Sequence, residues 1–139
     1  MTRIPYYMMD YRGGKRMGHG RVLDGLFYDG LTDAFVNKLM GDCAEKTASD
    51  FGISRKEQDD FALESYRRVK NATEKGYFKD LIAPFAGLTQ DEEYLRLNTS
   101  KFRSLPTVFK KDGTITPGNA SKICDGGNAL IIASKKALK

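Results

Sequence analysis

The sequence has no tryptophan, one histidine, two cysteines and four prolines. Two cysteines, Cys43 and Cys124, cannot build a disulfide framework, and neither belongs to a CxxC pair, so a reducing compartment is expected. The lone histidine, His19, has no carboxylate or cysteine at triad or ligand spacing, so it reads as a turn histidine rather than a general base. Long apolar runs are also missing. The most apolar stretch, Ala129 to Ala133, falls far short of the roughly 20 residues that span a bilayer, so no direct membrane insertion is expected. Pro5 and the glycines at 13, 14, 18 and 20 break any amphipathic presequence near the start, and no targeting segment is read there. Walker, GxGxxG and HExxH motifs are absent.

What remains is 139 residues, 40% hydrophobic and 29% charged, which suits one small domain or a compact piece of a larger one and excludes a multidomain enzyme. The net charge of +5 attracts anions without naming one. Aromatic residues are not interleaved with the basic ones as stacking platforms require, so nucleic acid is not an expected partner.

Three zones differ in texture. Residues 1–30 are rich in Gly, Tyr and Met and read as an extended, hairpin-like arm. Lys15 and Arg16 stand at its tip between Gly13-Gly14 and Gly18-His19-Gly20, and the Asp-Gly pairs at 24 and 29 are turn signals. In residues 31–80, Asp42 with Glu45 reads as a capping box opening a helix at 42–51 with Cys43, Ala44, Thr47, Ala48 and Phe51 inward and Gly52 as the stop. Ser54 with Glu57 repeats the signature and predicts a helix over 54–75, with Phe61, Ala62, Tyr66, Val69 and Ala72 as its apolar stripe and Gly76 beyond it. Residues 81–139 are mixed. Leu81 to Phe85 suits an edge strand because Pro84 cannot donate to a ladder. Arg96, Lys101, Arg103, Lys110 and Lys111 form a basic loop, read either as a solvated face or as an anion surface. Residues 129–134 predict a buried strand that needs neighbours.

Few residues invite catalysis. Cys43 lies on an inward helix stripe and reads as a small buried hydrophobe, and Cys124 stands beside acidic Asp125, a poor setting for a thiolate. Tyr66 reads as a core residue with its hydroxyl tied to a neighbour.

A resemblance adds to this reading. Asp29-Gly30-Leu31-Thr32-Asp33-Ala34-Phe35, Met40-Gly41, Ala44-Glu45 and Ile53 to Asp59 resemble the loop domain of thiolases, above all the acetyl-CoA acetyltransferases. Ala62 to Lys70, Gly76 to Lys79, Asp91 to Tyr94, Gly113 to Thr116, Gly118 to Ser121 and Asp125-Gly126 continue the match in order. The resemblance runs from Ile4 to Ser134.

It implies an α/β chain: residues 1–30 as the arm of the tetramerisation loop, 31–121 as the CoA-binding loop domain of helices and short strands, and 122–139 as a remnant of the N-terminal-domain sheet and helix. It implies coenzyme A or acyl-CoA as the ligand. Arg96 and Lys101 would hold its adenine-ribose-phosphate end, Ser121 its pantetheine, and Met40 would line the acyl pocket. Tyr66, beside CoA, and Ala120 match positions that help bind potassium in some members. The family's Claisen chemistry needs a nucleophilic cysteine, a histidine and a second cysteine. Those positions lie outside the matched segment, and Cys43 and Cys124 match neither. Leu39 stands where the family has a histidine before Met-Gly, Cys124 where it has an asparagine, Gly127-Asn128 where it has small residues, and Pro117 where it has a small residue.

The expectation is therefore a non-catalytic thiolase-derived subunit, structural or weakly CoA-binding, among protein partners in a larger assembly, with thiolase-like chains as one candidate partner. The alternative is a segment of an acetyl-CoA C-acetyltransferase that works with residues supplied elsewhere. The family implies a mitochondrial or cytoplasmic location.

Overall fold

The computed structural model describes residues 1–138 and divides into two units, one made of Met1–Gly30 and the chain from Lys122 on, the other of Leu31–Ser121.

In the first unit β1 (Tyr6–Met8) pairs antiparallel with β2 (Val22–Asp24), Tyr7 opposite Leu23. This is the expected hairpin arm with a long tip. The Asp24-Gly25 turn leads into a π-helical turn at Leu26–Leu31, where Asp24 Oδ1 accepts from Leu26 N at 2.8 Å. Tyr7 donates to Asp29 at 2.5 Å and meets Tyr28 edge to face. Asp125 joins the tail to this arm, accepting from Thr2 N at 2.7 Å and from Thr2 Oγ1 at 2.5 Å.

The strand expected at 129–134 does not form a ladder here. Its residues pair with no other strand among the described residues, and Ile131 and Ile132 are each 96% exposed. A strand needs a neighbour for its N–H and C=O groups, and this chain brings none to it.

The second unit is built on two helices, α1 (Met40–Asp50) and α2 (Arg55–Glu74). α2 matches its sequence signals. Ser54 caps it by accepting from Glu57 N while the Glu57 carboxylate accepts from Ser54 N at 2.8 Å, and Gly52 and Gly76 take the left-handed φ that ends each helix. Its inward stripe is Asp59, Ala62, Leu63, Tyr66 and Val69, and Phe61, expected inside, is 75% exposed. Spacings of three and four from Asp59 miss position 61.

α1 departs further from expectation. It starts at Met40 with Leu39 as an N-cap lacking a side-chain bond, so no Asp42/Glu45 capping box exists. Glu45 is drawn inward by donors on the loop at 113–115. Phe51, also expected inside, is exposed.

Leu81 to Phe85 forms turns instead of a strand. Phe85 and Leu88 exchange backbone bonds of 3.1 and 2.9 Å around Ala86 and Gly87, both at positive φ, making a tight turn that no other strand joins. The basic segment is more ordered than expected. A 3-10 turn at Glu93–Arg96 precedes a one-turn helix, α3 (Thr99–Phe102), capped by Asn98. Among the described residues no helix is long and apolar enough to cross a membrane.

The buried apolar side chains Ala48, Phe102 and Ile115 all belong to the second unit. Large apolar side chains stay exposed in both units, among them Met17, Leu130 and Ile131 in the first and Phe35, Phe61 and Phe85 in the second.

Candidate functional site

Two buried carboxylates organise the second unit. Glu45 Oε1 accepts from Thr114 N and Ile115 N, both at 2.8 Å, and Oε2 accepts from Thr114 Oγ1 at 3.0 Å. Burial pushes its pKa up, but the backbone bonds from Ile115 and Thr114, the Thr114 hydroxyl and nearby Lys110 outweigh it, and the net shift is downward. Asp59, 2% exposed, accepts from Arg55 Nε at 2.8 Å and from Asn119 Nδ2 at 3.0 Å. Arg55 also donates to the Leu105 carbonyl at 3.0 Å. The loop from Gly113 to Ser121 is thereby tied to both helices.

Phe102 gathers the candidate ligand residues. Its ring meets Tyr66 edge to face at 6.2 Å. Its helix, α3, carries Lys101. On the loop side a Cβ on Gly118 would lie 2.9 Å from the Phe102 ring and 2.8 Å from Leu105, so only glycine lets the segment leading to Ala120 and Ser121 approach so closely. Arg96 ends the 3-10 turn that packs on α2. Tyr66 of α2 and the Gly118 segment leading to Ala120 and Ser121 thus approach the Phe102 ring, Lys101 stands next to it on α3, and Arg96 is placed only on the turn that packs against α2.

Their environments differ. Arg96 is exposed and loosely paired with Glu92 at 3.4 Å, whereas the Lys101 ammonium and the Ser121 hydroxyl, both exposed, have no partner among the described residues. Tyr66 donates to Glu93 Oε1 at 3.4 Å, and its pKa is raised, first by burial and then by that carboxylate. Ser65, Tyr66, Val69, Asp91, Glu93 and Tyr94 line a small open pocket. Met40 stands apart from this group, half exposed, in an apolar groove of 440 Å³ lined also by Cys43, Ala44, Ala48, Ile53 and Ile115.

Chemically, exposed Arg96 and Lys101 can take phosphate oxygens and the exposed Ser121 hydroxyl an amide or carbonyl group. Tyr66 and the neighbouring carboxylates offer hard oxygen atoms suited to an alkali cation, although no group of three or more His, Cys, Asp or Glu capable of holding a metal exists among the described residues.

No thiol–imidazole pair accompanies these groups. His19 and Cys124 belong to the first unit and share no hydrogen bond, and the second unit, which holds half-buried Cys43, contains no histidine. The chain on its own lacks the cysteine and histidine set of thiolase chemistry. The residues that sequence reasoning missed are Glu45, read as a cap, and Asp59 and Asn119, seen only as parts of motifs. A carboxylate at a stripe position of α2, three residues before Ala62 and seven before Tyr66, was the available signal.

Comparison with known proteins accounts for the arrangement. The family model "Thiolase, N-terminal domain" matches residues 1–136. An acetyl-CoA acetyltransferase of Candida albicans is 43% identical over 150 residues, covering 100% of this chain and 37% of that protein. A mitochondrial 3-ketoacyl-CoA thiolase of Mus musculus is 41% identical over 148 residues, again covering 100% of this chain and 37% of its own length. The crystal structure of the Acat5 thiolase from Ascaris suum in complex with coenzyme A superposes with a TM-score of 0.76 at 40% identity, covering 88% of this chain and 32% of that one. The chain therefore spans little more than a third of the relatives it matches. It belongs to the thiolase family and corresponds to a part of the family's N-terminal domain.

Proposed function

We propose that this chain is a non-catalytic thiolase-derived subunit, structural or weakly CoA-binding, within a larger assembly. The observation that supports it best is the pair of exposed polar groups with no partner among the described residues, the Lys101 ammonium and the Ser121 hydroxyl, in a unit that has no histidine. Arg96 and Lys101 take the phosphates of the adenine-ribose end, where guanidinium and ammonium donors gain most from ionised oxygen acceptors. Arg96 must leave Glu92 to do so, at little cost for so loose and exposed a pair. Ser121 bonds the pantetheine, Met40 borders the acyl group, and potassium sits between the Tyr66 hydroxyl and the Ala120 carbonyl. The CoA complex of the Ascaris suum thiolase supports this ligand class. Residues 1–30 act as an association arm towards partner chains, and the uncovered apolar tail at 130–132 is completed by such a partner. Relatives named as mitochondrial and as cytosolic leave both locations within the reading.

Calorimetric titration of the chain with CoA tests the binding part. Heat is expected with the native sequence and not with the Arg96→Ala/Lys101→Ala variant; no heat with the native sequence rejects it. Tyr66→Phe should abolish any difference between potassium and sodium buffers.

A second reading is a segment of an acetyl-CoA C-acetyltransferase whose catalytic residues come from other chains or from further sequence. It is favoured by identity that runs across the whole chain while covering little more than a third of the relatives. The mass and composition of the native particle separate the two. A companion bearing the missing cysteines and histidine supports the enzyme, and a companion unrelated to thiolases supports the structural subunit.

A further inference from the structure

Asn119 spends its whole amide. Its Nδ2 donates to Asp59 Oδ1 and to the Thr114 carbonyl, each at 3.0 Å, while its Oδ1 accepts from Thr116 N at 2.8 Å. Two acceptors on one side and one N–H on the other leave a single orientation of the amide that satisfies all three. Thr116, fully buried, returns the constraint: its Oγ1 accepts from Gly118 N at 3.3 Å, and its carbonyl accepts from Ala120 N at 3.0 Å. Ser121 follows directly. Asp59 in turn is held by Arg55, whose guanidinium reaches across to the Leu105 carbonyl.

A buried carboxylate is a poor way to gain stability, because an apolar side chain of similar volume commonly serves as well. What a carboxylate adds is direction. We propose that Asp59 and Asn119 form a positioning pair that fixes the loop carrying Ala120 and Ser121, so that the Ser121 hydroxyl is presented to the pantetheine of CoA. The inference rests on the reading of Ser121 as the pantetheine contact. Neither Asp59 nor Asn119 touches the ligand; both act through Ser121. The pair therefore governs affinity for the pantetheine half of CoA and leaves the nucleotide half, bound through Arg96 and Lys101, unaffected.

The test uses the full chain and two probes in calorimetry: CoA, and the phosphorylated ADP half of CoA without its pantetheine arm. Asn119→Ala should weaken CoA by about tenfold, as expected for the loss of a hydrogen-bonded contact, and change the nucleotide probe by less than about twofold. Ser121→Ala should do the same, and the double variant should bind CoA no more weakly than the weaker single one, because residues acting through one contact are not additive. Asp59→Asn, which keeps the volume, should show the same split in smaller measure. Equal losses on both probes would reveal a general structural role and overturn the inference, as would additive losses or an unchanged CoA affinity in Asn119→Ala. Native protein that binds the nucleotide probe but gains nothing from the pantetheine arm removes the Ser121 contact and the inference, and leaves nucleotide binding through Arg96 and Lys101 standing. Native protein that binds neither removes the CoA reading and the inference with it.

Discussion

The two units spend their polar groups differently. In Leu31–Ser121, carboxylates are buried and answered: Glu45 by the backbone of Thr114 and Ile115, Asp59 by Arg55 and Asn119. In the unit formed by the arm and the tail, the bonds of Asp29 and Asp125 are solvent-exposed, and apolar residues such as Met17, Leu130, Ile131 and Ile132 are left open. The first pattern anchors the loop at 113–121, although Phe35, Phe61 and Phe85 of the same unit stay exposed. The second has no buried ionic framework among the described residues, and its apolar side chains are open as well. The lesson is that Leu31–Ser121 is ordered from within by buried polar bonds, whereas the arm and tail rely on exposed ones, and both units leave apolar surface to be covered.

Removing a buried carboxylate should expose that difference most sharply. Asp59→Ala leaves the Arg55 guanidinium and the Asn119 amide without their shared acceptor, and should destabilise the second unit by about 3 kcal/mol. Urea unfolding followed by amide exchange in α2 measures it, and protection in the arm should not change. Loss of arm protection together with α2 would mean that the units do not unfold independently. Gly118→Val should follow at about 2 kcal/mol, since even its Cβ would press on the buried Phe102 ring and on Leu105. An unchanged unfolding midpoint would show that the loop can lift off Phe102 at no cost.

How much of this was readable beforehand depended on whether the signal was local. Ser54 with Glu57, and Gly52 and Gly76, act within a few residues, so α2 and both helix stops were legible. The hairpin arm was legible for the same reason. Glu45 was misread because a capping box and a long-range clamp use the same residue type, and the donors that claim it lie about 70 residues away. The strands expected near Leu81 and Ala129 failed because strand propensity describes a side chain's fit to a sheet, and a sheet requires neighbours that no local window reveals. Arg96, Lys101 and Ser121 were candidates by motif resemblance alone. The packing of Tyr66 and the Gly118 segment on Phe102 could not be read ahead, because they arrive from distant parts of the chain.

The buried clamp also predicts a pH signature. Glu45 has a folded pKa below its ordinary value of 4.5, so its ionised form is favoured by folding. The stability it contributes is fully present above the ordinary value and is lost as pH falls through the lowered one. Glu57, Asp60 and Glu64 are held low as well, Glu57 by Ser54, Asp60 by Lys56 and Arg103, and Glu64 to about 2 by Arg67 and Arg68. Those groups are accessible to solvent and contribute little. The Glu45→Gln variant should therefore be about 1 to 2 kcal/mol less stable at neutral pH, because its NH2 group must face a backbone N–H, and should lose less of its remaining stability than the native chain on acidification below 4.5. Parallel acid titrations of unfolding midpoint compare the two, and identical slopes would remove Glu45 from the acid response.

The smallest expected effect is the most informative about the open unit. Ile131 is 96% exposed, so Ile131→Asp removes no burial within the chain, and its unfolding midpoint should correspond to a change below about 0.5 kcal/mol. Association is another matter. If residues 130–132 become a strand only against a partner, the aspartate would carry a charge into that interface at high cost, and copurifying chains should be lost or the sedimenting mass should fall. Equal mass and equal stability in the variant would mean that the apolar tail is covered by nothing. A large loss of stability in the isolated chain would mean instead that the tail is packed within its own unit, and the contrast between a unit ordered by buried polar bonds and an open arm and tail would collapse.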